Sequence, residues 1–236
     1  MSALVLRVPG ALFSALLEHA PTSVPSDDHS HRGKLHVVFD GLASRVAASD
    51  GHRIGIVWPE RVKTANDDLV RAESHSAKKA KGPPETALPA FGPACLSTSK
   101  KAVVVGVPIV LARQMAKLAG AKGSVEIRHE DGAVSLVAHT KTGSPAVVAS
   151  NTELGWRPYE EFLLSEPHAF EAKGGEGTAN VNPVYLTDAL ELCRRAGEAT
   201  AGVTATTFRF PPTSLSPLVL TDEKATCLVA MMPMRM

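Results

Sequence analysis

Aromatic side chains make up only 5% of the 236 residues, too few for the stacked platforms on which single-strand binders and RNA-recognition sheets hold bases. Charge of one sign is missing too. With 25 Lys and Arg against 24 Asp and Glu, no net field draws the molecule to a polyanion, so any nucleic-acid contact must come from a local basic face that meets phosphates rather than bases. Cysteine is scarce: Cys95, Cys193 and Cys227 are odd in number and widely spaced, which argues against a disulfide framework and a Cys-x-x-Cys metal site and for buried apolar thiols. No run reaches the roughly 18 apolar residues of a membrane span. The opening MSALVLRVPG also lacks the basic flank, apolar core and cleavage site of a secretory signal. The sequence therefore predicts a cytoplasmic protein with enough chain for one large domain or two modest ones.

What is present is a repeat. LVLRVP alternates like a strand, and Pro9 then opens an amphipathic helix, GALFSALLEHA. Past a polar interval come three strand-like pieces, LHVVFDG, ASRVAAS and RIGIVWPE, divided by the turn pairs Asp40-Gly41 and Asp50-Gly51. Residues 61–101 mix charge, Pro, Ser and Gly without a period and read as a flexible insertion. The pattern then returns: strand KAVVVGVP, a helix from Pro108 to Gly120, and strands SVEIRHED, GAVSLVAH and SPAVVAS. A third copy follows the connector NTELGWRPYEEFLLSEP, with GTANVNP as its strand, a helix between Pro183 and Gly197, and strands VTATTFRF, SPLVLTD and CLVAMMPM. Such repetition governs the fold. Each unit offers a small antiparallel sheet with one helix on one face, so units should pair edge to edge and collect their helices on a common side, an α+β architecture.

Three stretches carry a family likeness. VAASDGHRIGIV at Val46 to Val57, WRPYEEFLL at Trp156 to Leu164 and MPMRM at Met232 to Met236 fall in register with the repeat, and NPVYLTDAL at the third helix agrees with them. They resemble segments of the bacterial sliding clamp, the DNA polymerase III beta subunit. The resemblance implies the DNA-clamp fold, strand-helix-three-strand units with sheets outside and helices on the inner face. Family members have three domains of two units each, whereas this chain has three units. Residues 1–166 then correspond to a complete clamp-like domain, with 61–101 its insertion, and 167–236 to half a domain. A complete ring of the family displays about a dozen inner helices, a number that three helices per chain reach with four chains, so a homo-oligomer, a tetramer by helix count, is expected.

The resemblance also implies two sites. A pocket for a partner's linear peptide falls on Ser49, Gly51, His52, Arg53, Ile54, Leu164, Met232, Pro233, Met234 and Arg235. Flexible, polarizable Met can repack around varied apolar side chains, Arg can anchor a carboxylate or carbonyl, and a last strand offers an edge to an extended peptide. The family pattern usually has Pro where Leu164 stands. On the helix face, Arg113, Lys117, Lys122, Arg194 and Arg195 are candidate phosphate contacts, independent of sequence and sensitive to salt. Expected partners are duplex DNA, a DNA polymerase and other clamp-motif proteins, a clamp loader and the chain itself; no cofactor, catalytic residue, metal or membrane enters, and the place of action is the nucleoid.

Two rivals follow from the same residues. The chain could keep the pocket without encircling DNA, as an adaptor or competitor for clamp-binding peptides. A hydrolase could use the loop cluster Asp27, Asp28, His29 and His31 as a metal site, although the tight spacing and lack of a distant ligand speak for a solvated loop. The basic run AKKAKG from Ala77 reads as a solubilising stretch of the insertion that could add a transient DNA contact.

Overall fold

The computed structural model describes residues 3–22, 33–40, 44–59, 93–96, 99–149, 152–153, 162–166, 179–200, 205–210, 213 and 216–234. The first unit is β1 (Leu4–Pro9), α1 (Gly10–Leu17), β2 (Lys34–Phe39), β3 (Arg45–Ser49) and β4 (Arg53–Val57). The second is β5 (Val103–Pro108), α2 (Ile109–Ala119), β6 (Ser124–Glu130), β7 (Ala133–His139) and β8 (Ala146–Ala149), followed by the short β9 (Thr152–Glu153). The third is α3 (Pro183–Ala199), β10 (Thr206–Arg209), β11 (Leu218–Asp222) and β12 (Cys227–Met231). Each helix starts where a proline fixes φ and carries no N–H that the first turn would leave unpaired. At α3 the Asn182 side chain adds a cap, accepting from the Val184 amide at 2.9 Å.

The units exchange strands. β1 leaves its own unit to pair with β6, and β5 returns the exchange by pairing with β2, so neither of these two units is closed without the other. Two antiparallel sheets result, one ordered β1-β6-β7-β8 and the other β10-β11-β12-β4-β3-β2-β5-β9. Glu126 on β6 fastens the first, accepting from Arg7 of β1 and Arg128 at 2.7 Å each and facing His139 of β7 at 3.1 Å. Burial alone would raise its pKa, but these donors hold it down to about 2.

Over the middle strands of the long sheet, β11, β12, β4 and β2, both faces are covered, and alternation sorts the side chains between two cores. Leu35, Val37, Val57, Leu220 and Val229 point to the helix side, where they share one core with α1, α2 and α3. Ile54, Ile56, Val219, Leu228 and Ala230 point to the other side, under Trp58, Leu96 and Leu163. The approach on the helix side is close. A Cβ on Gly55 of β4 would lie 3.0 Å from both His19 Cγ and Leu192 Cδ2, so glycine lets α1 and α3 seat on that strand.

Two expectations need correcting. The end of the insertion is not free: Arg45, wholly buried, donates to the carbonyl of Leu96 at 2.9 Å, and Asp40 accepts from the Ser99 amide at 2.7 Å. A buried guanidinium demands acceptors, and this return of the chain supplies them. Of the strand expected in GTANVNP, the described residues 179–182 form none, and Gly177 and Thr178 lie outside the described residues. Residues 179–182 enter α3 without a ladder partner, because the described residues contain no fourth unit to receive the exchanged strand. The cysteines fit their expected role: all three are buried and unbridged.

Candidate functional site

The third unit joins the first through their last strands. β12 pairs antiparallel with β4 from Cys227 opposite Val57 to Met231 opposite Arg53. One step further, the Met232 amide donates to the His52 carbonyl at 2.9 Å, so the tail is held against the β3–β4 turn from a position roughly 180 residues away. That turn is built by its own side chains. Asp50 Oδ1 accepts from the amides of His52 and Arg53 at 2.9 and 3.0 Å, Ser49 Oγ donates to the Arg53 carbonyl at 2.8 Å, and Gly51 takes φ 92°, where a Cβ is disfavoured.

At this seam lies an open groove of about 330 Å³, on the sheet face away from the helices. Ser49, Gly51, His52, Arg53, Ile54 and Met232 line it, six of the ten residues marked for the peptide pocket. Phe162, Pro217 and Ala230 complete the lining. The connector thus contributes Phe162, while Leu164 is 42% exposed and turned elsewhere, and Leu163 is sealed in the core below. Pro217 was foreseeable from register, since Leu218 opposes Met231 and the residue before it must sit by Met232. Pro233 and Met234 do not line the groove; the Met234 amide donates to the Asn180 carbonyl at 2.6 Å, carrying the tail toward α3. Arg235 lies outside the described residues.

Arg53 shows the groove only part of itself. Its guanidinium pairs with Asp50 at 3.1 Å and Asp188 of α3 at 2.5 Å, donates to the Glu18 carbonyl at 2.5 Å and lies 4.2 Å from the centroid of the Tyr185 ring. With a side chain 7% exposed, it rivets α1, β4 and α3 beneath the seam rather than reaching for a ligand. Beside it His19 is fully buried; Nδ1 is 3.3 Å from the Ala15 carbonyl, and Nε2 has no hydrogen-bond partner among the described residues. Burial and then the Arg53 cation push its pKa from 6.5 down to about 4. The unfolded chain therefore binds a proton that the folded one refuses between those values, and stability is expected to fall by about 3 kcal/mol as the pH drops from 6.5 to 4. Urea midpoints across that range measure it; His19→Gln should flatten the slope, and an unaltered slope would assign the pH dependence elsewhere.

The candidate phosphate contacts are split. Lys117 and Lys122 are exposed on and just after α2. Arg113 leans on the carbonyls of Ala20 and Thr22 at 3.4 and 3.5 Å. Arg194 and Arg195 are both paired along α3 with Glu191 and Glu198, and the hydrogen bond from Arg194 heads the causes that lower the Glu191 pKa. Their charge is therefore largely neutralised within the helix. Asp27, Asp28, His29 and His31 lie outside the described residues, among which no group of three His, Cys, Asp or Glu could hold a metal. No described helix is long and apolar enough to cross a membrane.

No protein-family model matches the chain, and no curated protein matches it by sequence. Solved structures do match. A putative DNA polymerase III beta subunit from Eubacterium rectale aligns with a TM-score of 0.55 at 12% identity, over 99% of this chain and 65% of that one. The DNA polymerase sliding clamp of Pseudomonas aeruginosa aligns at 0.53 and 13%, over 99% and 67%. The DNA polymerase III subunit beta of Borrelia burgdorferi aligns at 0.55 and 11%, over 98% and 63%. The chain thus has the DNA-clamp fold and spans about two thirds of the length of the clamps it matches.

Proposed function

We propose that the protein is a shortened sliding clamp without catalytic activity, which holds partner proteins by a linear peptide in the groove between β4 and β12 and encircles duplex DNA as a homo-oligomeric ring. The observation that carries this reading is the convergence of Ser49, Gly51, His52, Arg53 and Ile54 with Ala230 and Met232 on one apolar groove. Two segments so distant in sequence form an open, Met-edged cleft beside strand ends, suited to an extended apolar peptide. Residues 1–166 form the complete domain of this clamp and 167–236 the half domain. DNA polymerase, other clamp-motif proteins and a loader are the partners in this scheme, at the nucleoid. Tethering raises a polymerase's local concentration at the primer end without reading any base.

A non-encircling adaptor is the second reading, and the ion pairs of Arg194 and Arg195 favour it, because they leave α3 with little free positive charge for a duplex. Loading the purified protein onto nicked circular DNA separates the two. A ring is retained through a salt wash and lost when the circle is linearised; an adaptor is washed off both forms, and that outcome would overturn encirclement while leaving peptide binding to be measured separately.

A further inference from the structure

Every unit has two strand positions that seek a partner. The second strand receives the first strand of another unit: β2 receives β5 and β6 receives β1. The last strand pairs with the last strand of another unit, as β4 does with β12. Among the described residues, β10 is the one second strand without an incoming first strand, and residues 179–182 are the one leading segment without a sheet to cross to. The two are complementary and belong to the same unit; in the single chain the segment rests on the tail and the core instead, Asn180 accepting from the Met234 amide at 2.6 Å while Ala179 and Val181 pack against the helix side, contacts that a crossing strand exchanges for a ladder.

The surface beside β10 agrees. Phe208 opposes Leu220, which belongs to the helix-side core, so Phe208 and Phe210, two residues apart, face the helix layer at the sheet's edge. They stack at 6.3 Å between centroids and 18° between planes, yet are 39% and 43% exposed, in a chain with only seven Phe. On α3, Asp188 is drawn to Arg53 on the side of α1. Leu190, two residues on and about 200° round the helix, is turned to the opposite flank and is 38% exposed. In the complete domain the corresponding space is filled, since α1 and α2 pack against each other on a common core.

We propose that a second copy of this chain fills this space across a two-fold axis, its residues 179–182 crossing to β10 while its own β10 receives the same segment in return. The exchange that β1 and β5 make within one chain would then be made between two, completing a clamp domain from two half domains. A self-complementary vacancy is what a two-fold interface requires. A head-to-tail union of β8 with β10 would join a last strand to a second strand, a pairing this fold makes nowhere among the described residues. Two such chains carry three domains between them, and pairs of pairs reach the helix count of a ring, which ties this inference to the clamp reading.

Light scattering on the eluting protein tests it with the double substitution Phe208→Asp, Phe210→Asp. The wild type is expected as a dimer or tetramer and the variant at half its mass, with the groove still binding a labelled clamp-motif peptide. A monomeric wild type, an odd-numbered oligomer, a variant of unchanged mass or a tetramer that falls straight to monomer would each overturn the two-fold. Leu190→Cys treated with a short bismaleimide gives a second measurement: α3 and its symmetry mate should cross-link into a covalent dimer, and a product confined to intramolecular adducts counts against the axis. A tetramer collapsing to monomer would leave a head-to-tail ring standing, whereas a two-fold dimer released from nicked circles would remove the ring and keep the interface.

Discussion

Arg53→Ala is expected to destabilise the protein by about 3–5 kcal/mol, the loss that follows when one partner of a buried charge pair is removed. The guanidinium makes four contacts at once: Asp50 in the β3–β4 turn, Asp188 on α3, the Glu18 carbonyl at the end of α1, and the Tyr185 ring. Its removal leaves the Asp188 carboxylate, 24% exposed, without its cation, and strips the last carbonyl of α1 of a donor. Against the roughly 5–15 kcal/mol that holds a typical domain folded, this is a large fraction. Arg53→Lys should recover little, because a single ammonium cannot present the planar fork that meets Asp50, Asp188 and Glu18 together. Denaturant midpoints of the two variants check this. An alanine variant within about 1 kcal/mol of wild type, or a lysine variant fully restored, would show that Arg53 is incidental to the seam. Hydrogen exchange should localise the damage to α3 and β12, which Arg53 ties to the first unit.

Removing residues 232–236 should weaken a labelled clamp-motif peptide by at least about 100-fold in fluorescence anisotropy, the scale of losing a central anchor of an interface. Folding should survive, because the ladder of β12 already ends with Met231 opposite Arg53 and Leu218, and among the described residues the tail's backbone bonds are Met232 to His52 and Met234 to Asn180. A cut that left both affinity and melting unchanged would make the tail a bystander. A cut that unfolded the protein would shift the question to Met232→Ala alone, which removes the exposed side chain from the groove and keeps the backbone bonds.

Periodicity made most of the fold legible. Strand alternation and proline-started helices placed α1, α2 and α3 and the strands that follow them, since both signals are local. GTANVNP misled because its composition suits a strand while its partner strand is absent from the described chain; a ladder is a property of two segments, and sequence reports one at a time. In the groove, the Ser49 to Ile54 turn and Met232 were legible from motif residues, whereas Phe162 replaced Leu164 because which side of a single helical turn faces a cleft is decided by packing. The role of Arg53 was hidden for the same reason. Nothing near it in sequence announces Asp188, 135 positions away, or the buried His19 beside it.

The seam has a kinetic side. Cys227 pairs with Val57 and Met231 with Arg53, so about 170 residues must be synthesised after β4 before its partner exists. At roughly 5–20 residues per second that is a delay on the order of 10–30 s, during which β4 presents an unpaired edge bearing Ile54 and Ile56. Non-local pairings of this kind close slowly, and open apolar edges recruit other nascent chains. Yield on expression is therefore expected to depend on that bare edge, so a co-expressed holdase that covers it should raise soluble protein without altering its melting point. The groove, which needs β12 in place, becomes competent last of all.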